Sequence, residues 1–231
     1  MNKATIGANI SKVLNRIEHA CSTYGRNADS VSLIAVSKTK PAHLIEYAAE
    51  LGLQHFGENY LQEAVQKISE LPRENKTWHF IGPIQSNKTR PIAQYFDWVH
   101  SVDRLKIATR ISEQRPPDLP PINLCLQINV SLEDSKAGVT LEQVRELALT
   151  VQTLPNIRLR GLMALPKPTE TVSEQRQSFA LVRQCLQDLQ SDIPELDTLS
   201  MGMSQDLEAA IAEGATMIRV GTDLFGARDR S

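Results

Sequence analysis

The chain has 231 residues and a formal net charge of −2, with 25 basic and 27 acidic residues interspersed along its length. This length accommodates one large domain or two small ones and is ample for a hydrophobic core. The near-neutral charge argues against a nucleic-acid or membrane-surface role that depends on bulk charge. No basic N-terminal segment leads into a long apolar run, and no apolar run reaches membrane-spanning length, so we expect neither a signal peptide nor a membrane span.

The cysteines indicate the expected compartment. Cys21, Cys125 and Cys185 are widely separated and odd in number, and no C-x-x-C occurs. The pattern favours neither a disulfide framework nor a zinc site. All three lie in apolar contexts, as small core residues do. We therefore expect a reducing, cytoplasmic location.

The hydrophobic periodicity predicts one helix, around residues 6–17, followed by short apolar strands that alternate with amphipathic helices. The predicted strands lie near Val31–Val36, Gln54–Phe56, Trp78–Ile81, Trp98–His100, Leu124–Val130, Arg158–Met163, Thr198–Met201 and Met217–Val220. One predicted helix lies in each gap between them, at His43–Leu51, Tyr60–Leu71, Lys88–Tyr95, Arg104–Gln114, Leu141–Leu154, Ser173–Leu189 and Gln205–Glu213.

Regular strand–helix alternation implies parallel strands with right-handed crossovers. Eight such units in this length predict an α/β fold, a single (β/α)8 TIM barrel over residues 1–231 with an extra N-terminal helix. The main alternative, a doubly wound open sheet, usually has a G-x-G-x-x-G turn after its first strand, whereas this chain reads Ser37-Lys38-Thr39-Lys40-Pro41. The proline-rich residues 115–121 are predicted to form a rigid connection before the fifth strand.

The active site of such a barrel is built from the loops that follow the strands. The first strand delivers Lys38, where partial burial would lower the pKa of the amine and prepare it to form a Schiff base. From the neighbouring residues alone, an ordinary solvated lysine past a strand end is the favoured interpretation. The other loops deliver mostly hydrogen-bonding groups rather than paired acids and bases, which suits cofactor binding more than hydrolysis.

The loops after the seventh and eighth strands are candidates for a phosphate site. Gly202 and Ser204 precede one helical stretch, and Gly221 and Thr222 precede another short segment. Small residues let backbone N–H groups approach a phosphate. Each loop taken alone has a simpler explanation, namely Ser204 as an N-cap with Asp206 in the first turn, and residues 221–222 as a turn at the rim. Their adjacency in a closed barrel favours the phosphate site.

Arg219 lies within an otherwise apolar strand and needs a partner there. The guanidinium either contacts a ligand or forms an ion pair with an acid such as Glu213, and the residues alone do not separate the two. Met201 and Met203 could flank a flat ring, with ordinary core packing as the alternative.

His55 and His79 occur in similar strand contexts. No carboxylate lies at convincing spacing for a metal site, so core histidines bonded to the backbone are favoured. No G-x-S-x-G occurs, which argues against a serine hydrolase.

Six motifs, taken together, resemble the pyridoxal-phosphate homeostasis proteins of the YggS/PROSC type, in the same order from about Val31 to Arg228. The motifs are Val36-Ser37-Lys38-Thr39-Lys40, His55-Phe56-Gly57-Glu58-Asn59-Tyr60, Trp78-His79-Phe80-Ile81-Gly82 with Gln85-Ser86-Asn87-Lys88, Gly161-Leu162-Met163, Leu199-Ser200-Met201-Gly202-Met203-Ser204 and Arg219-Val220-Gly221-Thr222. The resemblance implies the barrel of the N-terminal domain of alanine racemase and pyridoxal 5′-phosphate (PLP) bound as a lysine Schiff base.

The resemblance also assigns roles to individual residues. It makes Lys38 the Schiff-base lysine, although Lys40 has the same strand parity, and it places Arg219 at the pyridine nitrogen. It further places Asn59 near the polar edge of the ring, Ser204, Gly221 and Thr222 at the phosphate, and Ser200 and Met201 as looser contacts.

The function that the resemblance implies is non-enzymatic. The protein would hold PLP for buffering or delivery in vitamin B6 homeostasis, with effects on amino-acid and keto-acid pools. Its partners would be PLP and apo PLP enzymes, without nucleic acid or membrane, and we expect a monomer.

The main alternative is a PLP enzyme with weak activity, such as an amino-acid racemase. An arginine at the pyridine nitrogen disfavours a protonated ring and weakens carbanion stabilisation. Racemisation also needs a second base on the opposite face. Racemase-like enzymes complete that site with a β domain and a partner subunit, and we expect no room for such a domain before Ser231, with Tyr60 as the one tyrosine near a site loop. A Schiff-base aldolase or phosphosugar isomerase is a third, remoter option.

Overall fold

Eight parallel strands close into a barrel in chain order. The computed structural model describes residues 1–131 and 137–227. The strands are β1 (Ser32–Val36), β2 (His55–Glu58), β3 (Thr77–Phe80), β4 (Trp98–Val102), β5 (Ile122–Ile128), β6 (Ile157–Ala164), β7 (Thr198–Ser200) and β8 (Met217–Val220). Pairing of β1 with both β2 and β8 closes the ring.

Helices cover the outside of the barrel. In the described part of the chain they are α1 (Lys3–Thr23), α2 (Ala42–Glu50), α3 (Leu61–Glu70), α4 (Thr89–Tyr95), α5 (Leu105–Gln114), α6 (Val144–Val151), α7 (Val172–Gln190), α8 (Leu207–Ala212) and α9 (Thr222–Phe225). The predicted TIM barrel with an additional N-terminal helix is confirmed, and α1 packs against α2, α8 and α9. None of these described helices is both long and apolar enough to cross a membrane.

The assignment of the whole chain to one domain stays a prediction. Residues 132–136 and 228–231, which include the Arg228 end of the motif match, lie outside the described residues.

Alternation along the strands separates two cores. Outward-facing residues such as Leu33 and Phe56 join the large cluster between strands and helices. Inward-facing residues form a smaller cluster of Ile34, Trp98, Cys125, Met163 and Met217 inside the barrel. Because Ile34 pairs in register with His55 on one side and Arg219 on the other, these two polar residues occupy inward-facing positions at the same level.

Strand pairing explains two of the differences between the predicted and the observed strand boundaries. The second strand extends to Glu58 instead of ending at Phe56, because it pairs with β3 through Phe80. The fifth strand begins at Ile122, whose N–H donates to the carbonyl oxygen of Asn156. Backbone pairing with neighbours, which local hydrophobicity does not encode, decides both ends.

The proline-rich connection is anchored by one buried arginine. The Arg115 guanidinium donates from Nη1 to the carbonyl oxygens of Ala93 (2.6 Å) and Phe96 (2.8 Å) and from Nε to that of Pro120 (2.8 Å). Burial lowers the pKa of Arg115, yet the group serves three carbonyls at once. The segment before β5 is therefore fixed to the end of α4.

Replacement of Arg115 by Met should destabilise the fold. It keeps an apolar stem but leaves these carbonyls without a donor, so we expect the free energy of unfolding to fall by about 3 kcal/mol. Denaturant titration measures this, and Arg158→Met at an exposed position is the control, with a change within about 0.5 kcal/mol. Equal stability of the two variants would contradict the anchoring role.

Candidate functional site

The residue expected to bear the reactive amine lies in a tight turn. β1 ends at Val36, and the N–H of Lys40 donates to the carbonyl oxygen of Ser37 at 3.0 Å, which closes a turn over residues 37–40. Lys38, half-buried, is the first central residue of this turn. Thr39 is the second, with a φ of 62° in the left-handed region.

The turn separates the two lysines that strand parity leaves equivalent. Lys40 turns outward, and its Nζ donates to the carbonyl oxygen of Ala227 at 2.7 Å in an exposed position. The alternation that would place Lys38 and Lys40 on one face ends with the strand.

Three side chains hold this turn from outside the barrel. Nζ of the buried Lys67 donates to the carbonyl oxygen of Ser37 (2.8 Å), to Oε1 of Glu58 (2.9 Å) and to the carboxylate of Glu63. The hydroxyl of Ser37 donates to Glu58 Oε1 at 2.7 Å, and the N–H of Thr39 donates to Glu63 Oε1 at 2.6 Å. We call Glu58, Glu63 and Lys67 the turn clamp, because together they bind the residues on both sides of Lys38.

The turn clamp contains a buried ion pair. Burial raises the pKa of Glu58, while Lys67 and the Ser37 hydroxyl act in the opposite direction. Its second oxygen, Oε2, is buried without a hydrogen-bond partner among the described residues. Loss of Lys67 would leave a buried acid without its counter-charge, so the pair fixes α3 to β2 as well as to the turn.

Arg219 places a cation inside the barrel. The residue is 4% exposed. Its Nη1 donates to Ser200 Oγ at 2.6 Å and its Nη2 to the carbonyl oxygen of Ala164 at 2.9 Å. Burial lowers the pKa of Arg219 to about 10, so the guanidinium remains charged at neutral pH.

The alternative of an ion pair between Arg219 and Glu213 is wrong. Glu213 pairs instead with Arg176 and Arg183, each at 2.7 Å, on the outside of the barrel. The carboxylate that acts on Arg219 is Asp206, whose charge raises the pKa of the guanidinium without a hydrogen bond between the two. The donors of Arg219 are thus directed at neutral acceptors.

The histidines in the barrel bind one another. Nδ1 of His55 lies 2.9 Å from Nε2 of His79, and Nδ1 of His79 lies 2.9 Å from Nε2 of His100. Nδ1 of His100 in turn lies 2.8 Å from Ser200 Oγ. The prediction of backbone partners is therefore wrong, since each histidine contacts a side chain. Within residues 1–131 and 137–227, no group of three or more His, Cys, Asp or Glu is arranged to hold a metal ion.

The loops after β7 and β8 lie beside the ends of β8 and β1. The carbonyl oxygen of Gly202 accepts from the N–H of Arg219 at 3.0 Å. Gly202 has a φ of +95°, and a Cβ there would lie 2.5 Å from Cβ of Ala210. At Gly221 a Cβ would lie 3.1 Å from the carbonyl oxygen of Val36. The backbone approaches its neighbours closely at both glycines, which a larger residue would prevent.

Ser204 does not cap α8. The N-cap residue is Asp206, and its Oδ1 accepts from the N–H of Met203 at 2.6 Å. Met201 is fully buried in the cluster between barrel and helices, whereas Met203 is 40% exposed. The structure thus leaves Ser204 half-buried in the loop and brings Met201 into the core.

An arginine from the N-terminal helix joins the two candidate phosphate loops. Arg16 of α1 donates to the carbonyl oxygen of Ser204 (2.8 Å), to both carboxylate oxygens of Glu208 (2.8 and 3.0 Å) and to Asp223 (2.9 Å). Sequence reasoning missed this contact and the turn clamp, although the Glu63–Lys67 spacing of i,i+4 is a visible signal for part of the clamp. Arg16 itself left no signal, because its partners are distant in sequence.

Asn59 presents a polar atom that the described residues do not satisfy. Its Oδ1 is buried and has no hydrogen-bond partner among them. The residue follows β2 closely, and Gly82 allows this position, since a Cβ at Gly82 would lie 2.1 Å from the Asn59 carbonyl oxygen. A buried acceptor without a donor is costly unless a ligand supplies one.

The chain is similar to known proteins over nearly its whole length. Residues 13–229 match the family model described as "Alanine racemase, N-terminal domain". The chain is 60% identical over 226 residues to a "Pyridoxal phosphate homeostasis protein" of Pseudomonas aeruginosa, covering 98% of this chain and 97% of the relative. It is 50% identical over 232 residues to the protein of the same name from Escherichia coli K12, covering 98% of each.

A solved structure gives a third comparison. PipY of Synechococcus elongatus PCC7942, solved with PLP bound, is 41% identical, with a TM-score of 0.78 over 91% of this chain and 99% of that one. With this agreement in sequence, length and fold, the chain belongs to the family of pyridoxal phosphate homeostasis proteins, built on the alanine racemase N-terminal barrel.

Proposed function

We propose that the protein binds PLP at the carboxyl-end mouth of its barrel and acts in vitamin B6 homeostasis by holding the cofactor. One observation carries the proposal. Three groups lie at one end of the barrel: Lys38 after β1, the Oδ1 of Asn59 after β2, which has no partner among the described residues, and the buried Arg219 near the end of β8. The chain that forms this barrel is 41% identical to a protein solved with PLP bound.

The residues at this mouth fit the chemistry of the cofactor. PLP supplies an aldehyde, which forms a Schiff base with a lysine amine, and Lys38 is the lysine in the supported turn. Asn59 offers an acceptor to a ring hydroxyl, and Arg219 offers donors to a ring nitrogen. The close backbone approach at Gly202 and Gly221 is the kind of cradle in which N–H groups meet a phosphate, with Ser204 and Thr222 beside them.

Arg219 favours holding the cofactor over catalysis. Its guanidinium carries only donors and stays charged at neutral pH, so a pyridine nitrogen beside it accepts a hydrogen bond and is disfavoured from taking up a proton. An unprotonated ring is a poor electron sink. The relatives are likewise named for homeostasis and not for a reaction.

The proposal extends to partners and location. A Schiff base forms reversibly, so PLP could be passed to apo PLP enzymes, which we propose as the recipients. We further propose a monomer in the cytoplasm. The cysteines support the reducing compartment, since Cys21, Cys125 and Cys185 are all unpaired thiols.

Borohydride reduction of the PLP-loaded protein should place a pyridoxyl group on Lys38. The reason is that the turn clamp supports Lys38, whereas the amine of Lys40 is bound to the carbonyl oxygen of Ala227. Peptide mass mapping locates the modification. Lys40→Ala is the matched control and should retain it, while Lys38→Ala should lose it.

Two outcomes would count against the proposal. A pyridoxyl group on Lys40, or on no residue, would remove the site assignment. Sustained racemisation of an amino acid that Lys38→Ala abolishes, detected by chiral analysis, would replace holding by catalysis.

Arg219→Ala should weaken PLP retention more than folding. The variant removes the donors proposed for the ring nitrogen, and we expect release of PLP to accelerate by about tenfold or more, with a changed absorbance spectrum. Stopped-flow transfer to a competing amine measures the release. Arg145→Ala is the control, because Arg145 forms an exposed ion pair with Asp192 on the helices outside the barrel. An unchanged spectrum and release rate in Arg219→Ala would exclude a ring contact.

Glu63→Ala should loosen the turn that carries Lys38. It removes the acceptor for the N–H of Thr39, whose left-handed backbone depends on such support, and we expect PLP affinity to fall about tenfold. Equilibrium titration followed by absorbance provides the measurement. Glu70→Ala on the same helix is the control and should bind as the wild type. Identical affinities in the two variants would show that the clamp does not act on Lys38.

A further inference from the structure

Three histidines cross the barrel interior and end at Arg219. His55, His79 and His100 come from the consecutive strands β2, β3 and β4. His55 is half-buried, whereas His79 and His100 are fully buried. Ser200 joins His100 to Arg219, so hydrogen bonds of 2.9, 2.9, 2.8 and 2.6 Å connect the half-buried end to the guanidinium.

The positions of the protons follow from the chemistry of the groups, starting at Arg219. A guanidinium carries only donors, so Ser200 Oγ must accept the bond from Nη1. The hydroxyl proton of the buried Ser200 then needs an acceptor, and the other contact of this oxygen is Nδ1 of His100. Ser200 therefore donates to His100. The opposite order would leave a buried hydroxyl proton without an acceptor among the described residues.

The same logic orders the histidines. Burial lowers the pKa of His100 to about 3 and that of His79 well below its ordinary range, so both are neutral at pH 7. A neutral imidazole that accepts at Nδ1 carries its proton on Nε2. His100 therefore donates to Nδ1 of His79, and His79 donates to Nδ1 of His55. Burial also lowers the pKa of His55, and because its Nδ1 accepts the bond from His79, its own proton lies on Nε2.

The surroundings of the histidines also disfavour an added proton. The indole ring of Trp98 stacks on His79, with ring centroids 5.7 Å apart. Arg219 acts on His100 from the other end. Because each ring nitrogen between neighbouring histidines is already used as a donor or an acceptor, an added proton would break a bond and bring a second cation towards Arg219.

We propose that His79 and His100 are positioning residues for Arg219, acting through Ser200 in a chain whose protons all point from the guanidinium towards His55. This hydrogen-bonded chain orients Ser200 so that its Oγ accepts from Nη1 of Arg219, while the carbonyl oxygen of Ala164 accepts from Nη2. Two of the five guanidinium N–H groups are thereby committed and the group is oriented, with three left for other acceptors. The proton order rests on the hydrogen-bond geometry together with the burial of the histidines, and its effect on PLP rests on the proposed function.

The proton order can be tested without any ligand. Long-range ¹H–¹⁵N correlation spectra of the histidine-labelled protein at pH 7 report which ring nitrogen bears the proton. Five histidines give signals, and single His→Gln variants assign them. We expect His55, His79 and His100 to be neutral and protonated on Nε2. A proton on Nδ1, or an imidazolium, at any of the three would overturn the ordered chain.

The effect on Arg219 is tested by a double-mutant cycle. His79→Phe should accelerate PLP release about tenfold and alter the absorbance, although His79 forms no hydrogen bond with Arg219 among the described contacts. In an Arg219→Ala background the same change should have no further effect, to within about twofold. His79→Gln, which retains one donor and one acceptor, should restore slow release.

Controls separate the outcomes. Met217→Leu changes the interior apolar cluster without a hydrogen bond, and its effect should be the same in both backgrounds. If His79→Phe accelerates PLP release equally in both backgrounds, or if His79→Gln does not restore slow release, His79 acts only by packing in the core. Either result would overturn the proposal. A wild-type protein that binds no PLP would refute the proposed function instead, and the NMR experiment would still decide the proton order.

Discussion

A guanidinium buried inside a closed barrel is the constraint on which this site depends. Transfer of a cation from water into a protein interior costs several kcal/mol. Arg219 meets a hydroxyl and a carbonyl oxygen there, and no described carboxylate hydrogen-bonds to it. Asp206 contributes only through its charge. The neutral dipoles of this hydroxyl and this carbonyl offset only part of the desolvation cost of the guanidinium. An electron-rich ligand at the mouth would give Arg219 a further hydrogen-bond acceptor that the described residues do not provide.

The other buried charges are arranged so that they leave Arg219 unpaired. Gly57 and Glu58 are successive residues of β2 and point to opposite faces, and Glu58 meets Lys67 on the helix side. A side chain one position earlier, at Gly57, would instead face the barrel interior, where Arg219 lies. Outside the barrel, the carboxylate of Glu58 helps to support the turn that carries Lys38. The alternation of side chains along the strands thus places the Glu58–Lys67 ion pair on the helix side and Arg219 in the interior, where it can contact a ligand.

Local patterns explain why the barrel could be predicted while parts of the site could not. Strand and helix periodicity are properties of neighbouring residues, and strand ends converge at one mouth, so Lys38 could be proposed. Parity could not separate it from Lys40, because the strand stops and the chain turns through a left-handed residue. The contacts of His55, His79 and His100 join residues that are 24 and 21 positions apart. They form only when three strands curve around a common interior, and neither spacing nor composition records that closure.

The N-terminal helix, an addition to the barrel by sequence, is part of the site's support. A half-exposed ion pair contributes little alone. Arg16, however, uses one guanidinium to connect the β7–α8 loop, α8 and α9, so its contacts hold together the segments proposed to meet the phosphate. The same contacts occupy Arg16 with Glu208 and Asp223. An anion at these loops would therefore meet backbone N–H groups and hydroxyls more than this cation. We expect binding of that kind to be weaker than binding by an unpaired arginine, which suits the proposed role of passing the ligand on.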